Sequence, residues 1–163
     1  MLIMASVLTL VSCGKEPAEP VNPQPDGDQP AALTAQDLAG TSWRCSMENT
    51  IVRQGIQINI SFESILDFTD TANGEYFEMA IMEVPAYPSA NQQTDMSVGF
   101  TYSVQGNSLF ITVVWTDDET GEETIETAEY TYDPDTQTIS LDTNSPDMEQ
   151  LMGTDVYVYT KMQ

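Results

Sequence analysis

The stretch from Ile56 to Phe68 alternates apolar and polar side chains for longer than an ordinary strand requires. Every second side chain belongs to the apolar set, which is Ile56, Ile58, Ile60, Phe62, Ser64, Leu66 and Phe68. A period of two is that of a β-strand with one buried face. At roughly 3.3 Å per residue such a strand spans about 40 Å. We therefore expect it to curve around a core, and to bend or bulge at Ser64, the polar member of the apolar set.

Turn signals divide the rest of the chain into further alternating runs. The predicted turns lie at Gln54-Gly55, 71–74, Gly106-Asn107 and 133–136. Positive φ is expected at Asn73 and Gly74, because Asn-Gly adopts it readily. Residues 89–95 are polar, follow Pro85 and Pro88, and predict a long loop.

These runs amount to eight strands, with no long helical period between them. Short helical turns are expected only at residues 33–38, with Thr34 as a candidate cap, and after Pro146. Eight antiparallel strands in up-and-down order can close into a small barrel, which removes exposed sheet edges. The sequence therefore predicts an all-β, eight-stranded antiparallel up-and-down barrel.

The charge of the chain excludes several classes of function. Its formal net charge is −22, from 26 acidic residues against 4 basic ones, and it has no histidine. Binding to nucleic acid or to anionic lipid headgroups requires basic contacts, so we expect neither. Without histidine there is no Ser-His-Asp or Cys-His catalysis and no His-ligated metal. We therefore predict no enzyme, no catalytic residue, no metal and no cofactor.

Two acidic clusters are candidate calcium sites. One comprises Asp117, Asp118, Glu119, Glu122 and Glu123, and the other comprises Asp133 and Asp135 around Pro134. Neither has the spacing of the D-x-[DN]-x-[DN]-G calcium loop. Turn chemistry and a solvated surface explain both, so we expect no tightly bound ion.

The amino-terminal part of the chain is unlike a folded domain. Residues 2–11 are apolar apart from Ser6 and Thr9, and a run of this length cannot span a bilayer but suits the apolar segment of a secretory signal. Residues 14–32 are rich in proline, glutamate, aspartate and glutamine, a composition that favours extended polyproline II. We predict a signal peptide at 1–12, a linker at 13–32 that begins with Cys13, and the barrel domain at 33–163.

The residues Leu10-Val11-Ser12-Cys13 resemble the bacterial lipobox. The resemblance implies that Cys13 is lipidated and becomes the new amino terminus. Each buried CH₂ of such a lipid adds about 0.8 kcal/mol to membrane binding. Lys15-Glu16 partly resembles the surface-export signals of Bacteroidetes lipoproteins. Together they imply a lipid-anchored protein of the bacterial cell envelope, at the outer membrane, facing either the periplasm or the exterior.

The ends of the domain resemble the lipocalin-like lipoproteins of Bacteroidetes and, more widely, the calycin group of small barrels. The resemblance rests on Gly40-Thr41-Ser42-Trp43 in the first strand and on residues 157–161 in the last. It implies that Trp43 lies at the barrel floor and that Lys161 covers it. The spacing here is G-x-x-W, one residue longer than the lipocalin G-x-W.

The inward faces of the predicted strands carry an aromatic set. Its members are Trp43, Phe62, Phe68, Phe100, Tyr102 and Trp115. These side chains either fill the barrel, or the last five line a cavity for one small ligand. The first alternative favours an interaction or accessory subunit of an envelope complex, and the second a binding module for a small apolar or amphipathic molecule. A cavity of about 300 Å³ or more favours the binding module. An inhibitor of extracellular enzymes, with a protruding loop at 85–95, is a third alternative.

Overall fold

Eight antiparallel strands close into one barrel in chain order, each paired with its sequence neighbours and β8 with β1. The structure, a computed structural model, describes residues 32–117 and 120–163. The strands are β1 Thr41–Arg53, β2 Ile56–Phe68, β3 Asn73–Glu83, β4 Gln92–Gln105, β5 Ser108–Thr116, β6 Glu123–Asp133, β7 Thr138–Asp142 and β8 Val156–Lys161. The predicted fold class is confirmed. The predicted signal peptide, Cys13 and all but the last residue of the linker lie outside the described residues.

Strand β2 has the bounds that its alternation predicts. Its buried side chains are Phe62, Ser64, Leu66 and Phe68, which all lie on one face. The predicted bulge at Ser64 is wrong, because pairing runs unbroken through Cys45 on one side and Glu78 on the other. The Ser64 hydroxyl is hydrogen-bonded to the Tyr159 hydroxyl inside the barrel, so this polar side chain is accommodated without a bulge.

The β2–β3 turn occupies residues 69–72, so it only overlaps the predicted 71–74, and it is built differently. Asn73 and Gly74 belong to β3, and neither is among the positive-φ residues of the described chain. The turn is held instead by Asp70 Oδ1, which accepts the backbone N–H groups of Ala72 at 2.8 Å and Asn73 at 2.9 Å. Gly74 is required for close packing, since a Cβ there would lie 2.3 Å from Phe100 Cζ.

Strand β4 begins at Gln92, so the predicted loop at 89–95 is wrong over its second half. The connection from β3 is shorter and contains one 3₁₀ turn, Pro88–Ala90. Residues 92–95 are extended because they pair with β3, for example Met82 with Gln92 and Met79 with Asp95. Their polar side chains are exposed on this strand, so composition alone suggests a loop.

Two short helices flank the strands. Helix α1 spans Ala35–Leu38. Its N-cap is Thr34, as predicted, and Thr34 forms a capping box with Asp37. Helix α2, Pro146–Met152, begins at Ser145 and ends at Gly153, where φ is +78°. Within the described residues, neither helix has the length and apolar character needed to cross a membrane.

The two ends of the barrel differ in how they are filled. At the end that carries α1 and the β2–β3 turn, which we call the closed end, the buried core is continuous. The side chains that fill it are Leu33, Leu38, Trp43, Phe68, Phe100 and Tyr102. The opposite end, where β5 turns into β6, is the open end. There β6 pairs with β7 only from Thr131 to Asp133, which leaves a lateral gap beside Ala128.

Candidate ligand-binding cavity

A cavity of about 490 Å³ lies between β3, β5 and β6 toward the open end. Its walls are Tyr76, Ile111, Val113, Trp115, Glu126, Thr127, Ala128 and Tyr130. Ile111 and Tyr130 are buried, whereas Glu126 and Thr127 are exposed. The cavity therefore runs from the barrel interior to solvent, and its wall is aliphatic and aromatic apart from the rim.

Strand alternation and register place these side chains together. Ile111, Val113 and Trp115 alternate along the inner face of β5. Across the ladder, Ile111 pairs with Ala128 and Val113 pairs with Glu126. The small Ala128 opposite Ile111 leaves space that a larger side chain would fill.

The rim of the cavity carries an oriented carboxylate. Trp115 Nε1 donates a hydrogen bond to Glu126 Oε2 at 2.9 Å. The two residues lie diagonally across the β5–β6 ladder, within reach of a long side chain and an indole. An ionised carboxylate accepts several hydrogen bonds, so Glu126 retains capacity for a ligand donor after the indole is satisfied.

A second carboxylate lies deeper, on the inner face of β3. The Tyr76 hydroxyl, which reaches the cavity wall, donates a hydrogen bond to Glu78 Oε2. Burial raises the pKa of Tyr76 strongly, and the hydrogen bond to Glu78 raises that pKa further. Glu78 also lines a separate recess of about 210 Å³ with Thr94, Asp95 and Met96.

The negative charge of Glu78 also contributes to the raised pKa values of two other tyrosines. Burial raises the pKa of Tyr130 to about 12, and the Glu78 carboxylate contributes to that rise. Tyr157 behaves in the same way, with a pKa raised to about 12 by burial first and by Glu78 second. These phenols remain protonated at neutral pH, so they are available as hydrogen-bond donors.

Sequence reasoning placed five aromatic residues in a possible cavity, and the structure brings one of them to its wall. Trp115 lines the cavity. Phe68, Phe100 and Tyr102 instead stack edge-to-face at the closed end, with ring centroids 4.9 to 6.2 Å apart. Phe62 packs on Tyr157, with centroids 4.8 Å apart. These four residues fill the core.

The two residues assigned to the barrel floor lie together at the closed end. Trp43 is 3% exposed and pairs with Lys161 in the β1–β8 ladder. The Lys161 ammonium nitrogen is 6.0 Å from the centroid of the Trp43 ring. Trp43 Nε1 donates to Thr41 Oγ1 at 2.9 Å, so its polar atom is satisfied.

Several residues of the cavity wall were missed by sequence reasoning. Ile111, Val113, Ala128 and Tyr130 lie on faces that alternation correctly marks as inward, so that signal was present. Tyr76 was harder to find, because β3 carries apolar residues on both faces and its inner face is not distinct. Glu126 is one of 26 acidic residues, and only the register singles it out.

Two wider depressions lie elsewhere on the protein. One, of about 630 Å³, is lined largely by polar residues of β1, β2 and β3 such as Glu48 and Thr50. The other, of about 910 Å³, lies at the gap between β6 and β7 and shares Ala128 with the inner cavity. We favour the inner cavity as the binding site because pockets for small molecules are mostly apolar with few polar groups.

Among the described residues there is no group of three or more His, Cys, Asp or Glu side chains that could hold a metal ion. Cys45 is buried, and burial raises the pKa of its thiol. In the acidic turns, Asp117 Oδ1 accepts the Thr120 backbone N–H at 2.6 Å, and Asp133 Oδ1 accepts that of Asp135 at 2.9 Å. These are turn-forming contacts.

Comparison with known proteins adds no homologue: no protein-family model, curated protein or solved structure matches this chain. The closed, eight-stranded antiparallel barrel is consistent with a calycin-type fold. Because one fold hosts many functions, the function has to be argued from the cavity itself.

Proposed function

We propose that this protein is a binding module that holds one small apolar or amphipathic molecule in its barrel. The observation that carries the proposal is the 490 Å³ cavity with an aliphatic and aromatic wall. Its volume lies within the range of about 300–1,000 Å³ that small-molecule pockets occupy. The buried Ile111 and Tyr130 at its inner end would surround the apolar part of a ligand.

The gap between β6 and β7 supplies a route to this cavity. Ladder pairing between the two strands ends at Thr131 and Ser140. Ala128 belongs both to the cavity wall and to the depression at the gap. A ligand can therefore reach the cavity from the side as well as past Trp115 at the rim.

The proposal includes a place in the cell and a non-enzymatic role. The lipobox-like residues ending in Cys13 support a lipid anchor in the bacterial outer membrane, with the prolines of 13–32 as a stiff tether. The absence of histidine in the whole chain supports a binding function over acid–base or nucleophilic catalysis. The barrel would then present its cavity to molecules of the envelope.

Titration with a neutral apolar dye, Nile red, tests the binding function. The native protein is expected to enhance dye fluorescence saturably with one site. Ala128→Phe fills the cavity and should weaken binding by about tenfold, which corresponds to about 1.4 kcal/mol. Val114→Phe is the matched control, because Val114 lies on the outer face of β5 and is 46% exposed. Unchanged affinity in Ala128→Phe, with the fold intact by circular dichroism, would contradict the proposal.

Replacement of Cys13 by serine tests the anchor separately. We expect the Cys13→Ser protein to leave the membrane fraction while its melting temperature stays that of the native chain. A variant that still sediments with membranes after a high-salt wash would show that lipidation is not what holds the protein there.

An accessory subunit of an envelope complex is the second candidate function. It is favoured by an exposed apolar pair on the outer face of the β5–β6 hairpin, Val114 and Ile125, which are direct ladder partners. Photo-crosslinking from position 125 in intact cells tests it, with outward-facing Thr131 as the control position. One discrete adduct from position 125, together with no dye binding, would favour this candidate over the first.

A further inference from the structure

The charges around the cavity are of one sign. The chain has only 4 basic residues. Arg44 forms a salt bridge with Glu63. Arg53 donates a hydrogen bond to Gln150 in α2, and Lys161 lies over Trp43 at the closed end. Lys15 lies outside the described residues. Among the described residues, the wall of the cavity carries the carboxylate of Glu126 and no basic side chain.

This carboxylate lies where the head group of a ligand would lie. Glu126 is at the rim, and the hydrogen bond from Trp115 Nε1 orients its carboxylate at the cavity mouth. Glu78 lies behind Tyr76, whose hydroxyl donates to it, and does not itself line the cavity. An anionic head group at the rim would meet repulsion from Glu126, whereas a cationic one would find a charge partner there.

The cavity wall also carries aromatic side chains, which are Trp115, Tyr76 and Tyr130. Aromatic rings attract cations through the negative face of the π-system, and rings grouped around a pocket are used to recognise quaternary ammonium groups. Ile111, Val113 and Ala128 supply the apolar wall for an attached hydrocarbon part.

We propose that the ligand is a cationic amphiphile, an amine or quaternary ammonium compound whose charged group lies against Glu126 and Trp115 while its hydrocarbon part enters the barrel. This inference rests on the proposed binding function and specifies the class of ligand. It also gives Glu126 a role in selecting the ligand, which its exposed position on β6 alone does not suggest.

Three amphiphiles with the same ten-carbon chain test this inference: decyltrimethylammonium, decyl sulfate and 1-decanol. Affinities are measured by calorimetry on the native protein, below micelle-forming concentrations and at physiological salt, which screens long-range attraction to the net charge of −22. We expect the ammonium compound to bind about tenfold more tightly than decanol, because it gains a charge-assisted contact and cation–π contacts. Decyl sulfate should bind most weakly.

Two variants of equal charge locate the effect. Glu126→Gln should reduce the preference for the ammonium compound over decanol to about twofold or less, since the carboxylate partner is lost. Glu123→Gln, three positions along β6 on its outer face and exposed, changes the net charge equally and should leave the preference intact. An equal loss in both variants would assign the preference to overall charge and overturn the inference.

The three amphiphiles also separate failure of this inference from failure of the proposed function. If decanol and decyl sulfate bind as tightly as the ammonium compound, the ligand class is wrong but the barrel still binds amphiphiles. If none of the three binds, and Nile red does not bind either, the proposed function fails and this inference fails with it.

Discussion

At the scale of single residues, two fully buried hydroxyl groups meet inside the barrel. Ser64 and Tyr159 are both 0% exposed, and their hydroxyl oxygens share a hydrogen bond of 2.9 Å. A buried hydroxyl without a partner costs about 1–3 kcal/mol, and this hydrogen bond, together with those between Tyr76 and Ser64 and between Tyr130 and Tyr159, avoids that cost. A polar residue in an apolar alternation therefore indicates here a buried partner and not a bulge.

A double-mutant cycle should detect this pairing. Ser64→Ala and Tyr159→Phe each remove one side of this hydrogen bond while Tyr130 stays beside Tyr159 and Tyr76 beside Ser64, so each should lower the free energy of unfolding by about 0.5–1.5 kcal/mol. The double variant should lose clearly less than the sum, which denaturant melts of the four proteins measure. Tyr157→Phe is the control, because its ring contact with Phe62 survives the change. Strict additivity would show that the two hydroxyls do not interact in solution.

Trp43 and Lys161 make a second residue-scale prediction. Trp43→Ala should cost about 3–5 kcal/mol, because it removes a buried aromatic side chain and leaves a cavity. Lys161→Met should cost much less, about 0.5–1 kcal/mol, since the stem still packs and only the cation–π contact is lost. Chemical denaturation of both variants checks the ranking. If the denaturation midpoint of Trp43→Ala equals that of the native protein, Trp43 does not belong to the closed-end core.

At the scale of elements, local periodicity predicted some strand bounds and missed others for an identifiable reason. The bounds of β2 were predictable because its alternation is sustained and one face is buried. The start of β4 was not, since Gln92 and Asp95 carry exposed polar side chains and are extended only through pairing with β3. That pairing is a tertiary contact, and no local pattern in the sequence encodes it.

The β2–β3 hairpin offers a test of packing between elements. A Cβ at Gly74 would lie 2.3 Å from Phe100 Cζ and 2.5 Å from the backbone oxygen of Asp67, so Gly74→Ala forces a rigid ring or a strand to move. We expect a loss of about 1–3 kcal/mol, as for other overpacked sites. Gly99→Ala on the neighbouring strand meets its nearest atom at 4.0 Å and should change stability by about 0.5 kcal/mol or less. Equal melting temperatures for the two variants would contradict this reasoning.

At the scale of the whole molecule, the closed barrel was predictable and the place of its cavity was not. Strand number, turns and inward faces can be read from the chain, and they define a barrel. Whether inward side chains fill it depends on which residues meet across three strands. Ala128 opposite Ile111 leaves space, whereas Phe68 against Phe100 leaves none. Aromatic character on an inward face marks all five candidate side chains alike, and of these only Trp115 lies at the cavity wall.

Because several tyrosines of the barrel are buried, the stability of the whole barrel should depend on pH in the alkaline range. Burial raises the pKa of five tyrosines, which are Tyr76, Tyr102, Tyr130, Tyr157 and Tyr159. In the unfolded chain a tyrosine ionises near pH 10. Between about pH 10 and 12 the unfolded state therefore binds fewer protons than the folded state. The free energy of unfolding should fall as pH rises through this window, and it should be unaffected by these groups below it.

Tyr130→Phe and Tyr157→Phe should each make this alkaline fall less steep. Each variant removes one phenol whose pKa is raised to about 12 in the fold, and one such group contributes at most about 1.4 kcal/mol per pH unit to the slope. Urea melts at a series of pH values from neutrality to pH 12 measure the slope, and phenolate absorbance of the folded protein over the same range reports ionisation directly. The contribution is fully present below the unfolded pKa and is lost as pH rises through the folded one, so the variants and the native protein should differ in slope only at alkaline pH. Native-like slopes in both variants, or full phenolate absorbance in the folded protein near pH 10, would show that these phenols are not buried in solution.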